Sequence, residues 1–326
     1  MRRNIMFEGM ARLIACLVLL AVVLGAAGCG GAGNGYDISL YTRSDSCGAA
    51  ETWALYLDGH KQDQLKGTAI YGDPGIAKAV QDDARGIGFN NIGYAYDMKT
   101  GLQIKGLRVV PIDIDENGRI DEWEDFYGTK QELTSAIADG LYPSPPARDL
   151  HFVTKREFTG LTAEFVRWVL TDGQQYVGEA GYVALSDTKI QEGLDKLGDE
   201  EDGDSLAGDI TISGAWALYP MTVKWAEEFG KLHPDVNFNI AAGGAGLGMT
   251  QALEKQVDIG MISREIYQSE IAAGAFWVSV TKDAVVPVTN AKNPLLEDLL
   301  ESGMTKQQFV DIWINETLTD WREVTG

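Results

Sequence analysis

The stretch that most constrains the fold runs from Asp209 to Phe229. Ile210 and Ile212 alternate with polar neighbours as in a strand, Gly214 and Ala215 let the backbone turn closely, and Pro220 suits a first helical turn, where its missing N–H costs nothing. Leu218, Met221, Trp225 and Phe229 follow at spacings of three and four, which predicts one buried helix face. Strand, small-residue turn and helix make up the repeating unit of a parallel α/β sheet. The same geometry aims unpaired backbone N–H groups and the positive end of a helix dipole at one spot, a natural seat for an anion.

Two further turns have the same form. Phe238 and Ile240 lead into Ala241, Ala242, Gly243, Gly244, Ala245, Gly246, Leu247 and Gly248, followed by Val257, Asp258, Ile259, Gly260, Met261, Ile262, Ser263 and Arg264. Near the start, Ile38, Leu40 and Tyr41 predict a strand that ends in Thr42, Arg43, Ser44, Asp45, Ser46, Cys47, Gly48 and Ala49. The order G-A-W-A-L-Y-P, then G-G-A-G-x-G-M, then V-D-I-G-M-I-S-R resembles the opening of the solute-binding proteins of phosphate ABC importers. Residues 43–49 resemble that family's R-x-D-x-S-G-T loop, in which Arg and hydroxyl groups hold phosphate at a helix start.

The resemblance implies an oxyanion site made by Ala217, Leu218 and Tyr219 of one turn, Ala245 and Gly246 of a second, Ser263 and Arg264, and Arg43, Asp45, Cys47, Gly48 and Ala49 of the third. Asp45 is expected to accept a proton from a protonated oxyanion. Cys47 and Ala245 stand where the family has Ser, and Ala49 where it has Thr, so side-chain hydroxyl donors are missing while backbone N–H groups persist. Cys47 at a helix start also fits a lowered thiol pKa. His60, His151 and His233 are the only histidines, and none sits in a site turn, so no base accompanies the thiol; neither an enzyme nor a zinc site is expected.

The N-terminus carries Arg2, Arg3 and Arg12, an apolar run from Leu13 to Leu24, and Ala26, Ala27 and Gly28 before Cys29. This reads as a lipoprotein signal peptide over 1–28, with Cys29 lipidated and the chain held outside the cytoplasm by a Gly-rich tether, 29–36. Cys16 would leave with the signal, so Cys47 remains as the one thiol and no internal disulfide forms. The full chain has a net charge of −21. Without the signal, 24 basic residues face 47 acidic ones, a balance that excludes nucleic acid and anionic membrane surfaces as partners.

Residues 113–124 match the calcium loop of an EF-hand position by position. Asp113, Asp115, Asn117, Asp121 and Glu124 occupy positions 1, 3, 5, 9 and 12; Gly118 makes the bend, Arg119 offers its carbonyl, and Ile120 is the apolar anchor. A structural Ca²⁺ is the expected cofactor, stapling a loop rather than signalling.

The remaining resemblance sets the architecture. Gly72 to Tyr94 resembles a helix and strand of the family's second lobe, and Tyr142, Pro143 and Arg148 its Y-P-x-x-R crossing. The acidic stretch 198–208 reads as a linker, and Glu323 to Gly326 resembles a mid-chain point just before the Arg loop that here sits at residue 43. The expected fold is therefore α/β, of the type II periplasmic-binding-protein kind: two α/β lobes joined by crossing strands, in circularly permuted order. One lobe would comprise 37–145 and 283–326, with the calcium loop, and the other 146–282. The resemblance implies an extracytoplasmic, lipid-anchored monomer that closes on inorganic phosphate and passes it to an ABC permease. Sulfate, molybdate or tungstate is the alternative ligand, and a calcium-stapled surface interaction or sensory lipoprotein without transport role the alternative function.

Overall fold

The computed structural model describes residues 35–197 and 206–324. The signal segment 1–28, Cys29 with most of the tether 29–36, most of the acidic stretch 198–208, and Gly326 lie outside the described residues. Gly208, the last residue of that stretch, already opens a strand.

The strands in chain order are β1 (Ser39–Arg43), β2 (Thr68–Ile70), β3 (Gly86–Asn91), β4 (Leu107–Val109), β5 (Ala147–Lys155), β6 (Gly208–Gly214), β7 (Val236–Ala242), β8 (Ile259–Ile262) and β9 (Ala275–Asn290). Helices α1 (Gly48–Tyr56), α2 (Gly72–Asp82), α3 (Lys130–Ala138), α4 (Gly160–Leu170) and α5 (Asp187–Leu197) belong to the first part of the chain. Helices α6 (Tyr219–Leu232), α7 (Ala245–Leu253), α8 (Gln268–Ala272), α9 (Leu296–Ser302) and α10 (Lys306–Val310) complete it.

All strands join one mixed sheet in the order β2-β1-β3-β9-β5-β8-β6-β7, with β4 also on β9. Two parallel groups stand at its ends: β1 pairs in parallel with β2 and β3, and β6 with β7 and β8. Between them β9 is the shared strand. Ala275–Ala284 runs antiparallel to β5, and Val285–Thr289 antiparallel to β3. The apolar run at Ala284–Asn290 is thus the end of a sixteen-residue strand rather than a separate one.

Each parallel group has its own core. Trp53, Phe89, Phe309 and Trp313 pack with ring centroids 5.2 to 6.1 Å apart in one. Phe152, Phe165, Trp225 and Phe229 form the centre of the other. Helix α6 shows how the pattern works: Met221, Trp225 and Phe229 are buried, while Lys224 pairs with Glu228 one turn on along the outer face at 2.7 Å. Each fully buried ring contributes roughly 1.5–3 kcal/mol against exposure, so each cluster anchors its own end of the sheet.

The beginning and end of the described chain meet. Ile38 donates its N–H to the Thr319 carbonyl at 2.8 Å, and Trp321 N–H donates to the Tyr36 carbonyl at 2.9 Å. Trp321 is buried beneath this contact and its indole N–H reaches the Arg85 carbonyl at 3.0 Å.

Candidate functional site

The C-terminal ends of the parallel strands supply the turns singled out in the sequence. Gly214 closes β6 at φ +140°, and a Cβ there would stand 2.3 Å from the Met261 carbonyl oxygen, so only glycine lets β6 and β8 approach this closely. The Gly214 carbonyl then accepts from the N–H groups of both Gly243 and Gly244, each at 2.9 Å. The first two turns are tied together by that one oxygen.

The loop after β1 seats on them. Gly244, at φ +100°, faces Ser46: a Cβ would lie 2.7 Å from the Ser46 carbonyl, to which Gly246 also donates at 3.4 Å. Gly48, the first residue of α1, lies against Ser263 so closely that a Cβ would come within 2.1 Å of the serine carbonyl and 2.3 Å of its hydroxyl oxygen. Ser46, Cys47, Gly48, Gly244, Gly246 and Ser263 are thereby brought to one place. As the opening residues of helices α1 and α7, Gly48, Ala49, Ala245 and Gly246 turn N–H groups without intrahelical acceptors toward it.

The turn after β6 contributes less than its sequence implies. Leu218 N–H donates to the Ala215 carbonyl at 3.2 Å and Tyr219 N–H to the Trp216 carbonyl at 3.3 Å, because the tight turn closes on itself before α6 begins. Leu218 points into the core. Trp216 is the residue of this turn that reaches across: its carbonyl accepts from the Tyr94 hydroxyl at 3.3 Å, and its ring meets Tyr71 edge-on at 6.1 Å.

Arg43 is buried in an ion pair rather than exposed. Its guanidinium donates to both Asp45 oxygens, at 2.8 and 2.6 Å, and to Asp73 at 2.6 Å. Burial opposes the charge, but Asp73 and Asp45 outweigh it and raise the Arg43 pKa above its ordinary value. Asp45 also accepts the Gly72 N–H at 3.1 Å, and its Oδ2 faces Gly244, 3.2 Å from where a Cβ would stand. The chain of polar groups continues from Asp73 through Asn91, whose amide donates to it at 2.7 Å, to Arg148 and on to Asp283 at 2.9 Å. Arg148 and Asp283 sit on β5 and β9, so this buried line joins the Arg43 loop to the strands between the two cores. Burial pushes the Asp283 carboxyl up, with Arg148 holding it down only in part.

Cys47 caps α1: its sulfur accepts from Ala50 N–H at 3.4 Å. Burial pushes the thiol up to about 12 despite the nearby Arg43, so it remains protonated and un-nucleophilic at neutral pH.

Arg264 turns away from Arg43 toward other acids. It makes an ion pair with Glu51 of α1 at 2.9 Å and a two-pronged pair with Glu270 of α8 at 2.7 and 2.9 Å, and it stacks on the Tyr267 ring. The Tyr267 hydroxyl reaches Glu51 at 2.5 Å. The sequence does not mark Asp73, Asn91, Glu51, Tyr267 or Asp283 as site residues; only Asp73, in the Gly72-Asp-Pro-Gly helix start, carries a local signal.

The 113–124 loop lies apart from these turns, packed on α9 through Ile120 N–H, which donates to the Glu301 carbonyl at 2.8 Å. Asp113, Asp115 and Glu124 each bring a carboxylate oxygen within 4.8 Å of the others. Gly118 makes the bend at φ +83°. Asp121 is directed instead to Arg119 at 2.9 Å and to the Asn117 amide at 2.8 Å.

Residues 199–326 match the PBP superfamily domain. The chain is 26% identical over 198 residues to the phosphate-binding protein PstS 2 of Streptococcus agalactiae, a match spanning 60% of this chain and 61% of that relative, less than two thirds of its length. It is 24% identical over 278 residues to PstS 2 of Streptococcus pneumoniae, covering 84% and 81% of the two chains. The crystal structure of a phosphate-binding protein of a phosphate ABC transporter from Streptococcus pneumoniae superposes with a TM-score of 0.57 at 22% identity, over 88% of this chain and 99% of that one. Residues 199–326 are thus similar to the PBP superfamily domain, the mixed α/β fold is shared with that solved periplasmic binding protein, and in sequence the chain is similar to phosphate-binding proteins of ABC transporters, a family of solute-binding proteins rather than enzymes.

Proposed function

We propose that this protein captures inorganic phosphate outside the cytoplasm, between two lobes built on its two cores, and delivers it to an ABC permease while held to the membrane by a lipid on Cys29. The observation that carries this reading is the meeting of Gly48 and Gly244 with Ser263 and Ser46 beside the buried Arg43. Such close backbone approach leaves room for N–H groups, not side chains, around a compact tetrahedral ion. The relatives' phosphate-binding names point the same way. Because Cys47, Ala49 and Ala245 bring no hydroxyl, and Asp45 is already engaged by Arg43, sulfate or molybdate is a second reading.

Two structural features accompany the proposal. The contact of Asp37 with Asp320 is what a circularly permuted monomer requires of its ends, since the family order would run directly from one to the other. The twelve-residue spacing at 113–124, with Asp113 and Glu124 buried, supports a stapling Ca²⁺. Titration calorimetry of the protein with phosphate, arsenate, sulfate and molybdate tests the ligand: saturable binding of phosphate in preference to sulfate is expected. A preference for sulfate or molybdate would favour the second reading, and no heat with any of them would reject the site.

A further inference from the structure

The loop after β1 is gripped by a side chain that none of the meeting turns supplies. Gln62, in the short 3-10 helix Gln62–Gln64, accepts the Cys47 N–H on its Oε1 at 3.0 Å and donates from its Nε2 to the Asp45 carbonyl at 2.5 Å. One side-chain amide thus holds both peptide units that flank Ser46. Its own segment is anchored: the Lys61 N–H donates to the Gln64 Oε1 at 2.8 Å, Leu65 is buried in the core around Trp53, and the Lys66 N–H donates to the Trp313 carbonyl at 2.8 Å.

Peptide planarity turns this grip into a direction. In a trans peptide the C=O and N–H point opposite ways, and neither bond flanking Ser46 is cis. With the Asp45 carbonyl and the Cys47 N–H both on Gln62, the Ser46 N–H and the Ser46 carbonyl face away from it. The carbonyl does so by accepting from the Gly246 N–H at 3.4 Å, across the gap to α7. The Ser46 hydroxyl oxygen lies at the same place, 2.7 Å from where a Cβ on Gly246 would stand. Among the described residues the Ser46 N–H has no acceptor.

We infer that Gln62 is a positioning residue for anion capture: by holding the peptides on either side of Ser46, it turns the Ser46 N–H toward the meeting turns, where that group donates to the bound ion. This rests on the oxyanion reading of the turns and adds to it one donor and the residue that aims it. Fixing a donor before the ion arrives removes an ordering cost from binding. Gln62 itself does not touch the ion.

Calorimetry with inorganic phosphate on wild type, Gln62→Met and Gln62→Glu tests it at about pH 8 and about pH 5, on the two sides of a carboxyl pKa raised by the Asp45 carbonyl that it would face. Each variant is read as a ratio to wild type at the same pH, so that the ion's own titration cancels. Methionine keeps the length of the side chain and removes both hydrogen bonds, and affinity should fall about tenfold, roughly the net worth of a pair of neutral hydrogen bonds. Glutamate keeps the acceptor for the Cys47 N–H but donates to the Asp45 carbonyl only when protonated. Its deficit should be close to that of methionine at the higher pH and shrink to about threefold or less at the lower. Because this second comparison is made within one protein, it stands even where Gln62→Met melts early. Affinity of Gln62→Met within about twofold of wild type overturns this inference and leaves the phosphate reading standing. A Gln62→Glu deficit that is the same at both pH values also overturns it, since a side chain that merely braces the loop gives no such pH profile. No phosphate binding by wild type overturns the reading beneath it.

Discussion

Glu51 of α1 lies 2.9 Å from the Arg264 side chain, an ion pair that ties the helix following β1 to the turn following β8. Helix α1 packs into the core around Trp53 and β8 into the core around Trp225, so the pair bridges the two halves of the sheet. The contact also occupies a cation that the sequence places at the anion site.

The variant Glu51→Gln should therefore free the Nε edge of Arg264 for a ligand, its two terminal nitrogens remaining on Glu270. Phosphate affinity is expected to rise by about two- to fivefold, the worth of a partly exposed ion pair of roughly 0.5–1 kcal/mol. Calorimetry reads the change directly. An affinity that falls would mean that Glu51 helps to shape the site rather than competing in it.

Gly48→Ala probes the closeness of the turns. Its Cβ would meet the Ser263 carbonyl at 2.1 Å, and backbone on both sides cannot give way cheaply. We expect a loss of about 1–3 kcal/mol in urea unfolding, typical of overpacking. Stability within 0.5 kcal/mol of wild type, on the order of the noise of a neutral surface change, would show that the loop and the turn are not packed together.

His151 gives the protein a defined acid sensitivity. Buried on β5 with Nδ1 3.1 Å from the Ser279 hydroxyl, it is driven by loss of solvation to a pKa of about 4 from the usual 6.5. A base depressed in the folded state contributes stability that is complete above pH 6.5 and lost as the pH falls toward 4. The loss is on the order of 3 kcal/mol across that window. His151→Gln should flatten the pH dependence of urea unfolding between those limits, and an unchanged slope would contradict the assignment.

The 113–124 loop predicts a calcium-dependent melting temperature. The buried Glu124 carboxylate accepts from the N–H groups of Ile114, Asp115 and Asp121 at 2.7 to 3.3 Å. Added Ca²⁺ should raise the melting temperature by several degrees, by mass action on the folded state, and Glu124→Gln should remove the increase. A wild-type melting temperature indifferent to both calcium and chelator would make the loop a plain turn.

The strand–turn–helix units were legible in the sequence because their signals are local. Ile210 and Ile212, Gly214, Pro220 and the spacing of Met221, Trp225 and Phe229 lie within twenty residues, and the observed β6 and α6 follow them. What Leu218 and Tyr219 do with their N–H groups was not legible, since the turn's internal hydrogen bonds depend on its exact backbone path. The ion pairs were the least visible. Arg148 meets Asp283 at a separation of 135 residues, and Tyr267 meets Glu51 at 216, distances over which no periodicity or spacing carries information. The sheet order explains the first pair, because β5 and β9 are neighbours and Arg148 stands directly opposite Asp283.

The central claim is that a tetrahedral oxyanion binds where the turns meet, beside Arg43. Calorimetry of wild-type protein and Arg43→Ala with inorganic phosphate tests it most directly, with urea unfolding of the same variant as control. Removing one partner of a buried ion pair costs about 3–5 kcal/mol of stability, so the comparison is made where both proteins are folded. The account predicts saturable binding by the wild type and a loss of at least about 1.5 kcal/mol of affinity in the variant, the low end for a charged hydrogen bond. Phosphate affinity unchanged in a folded Arg43→Ala protein would contradict it.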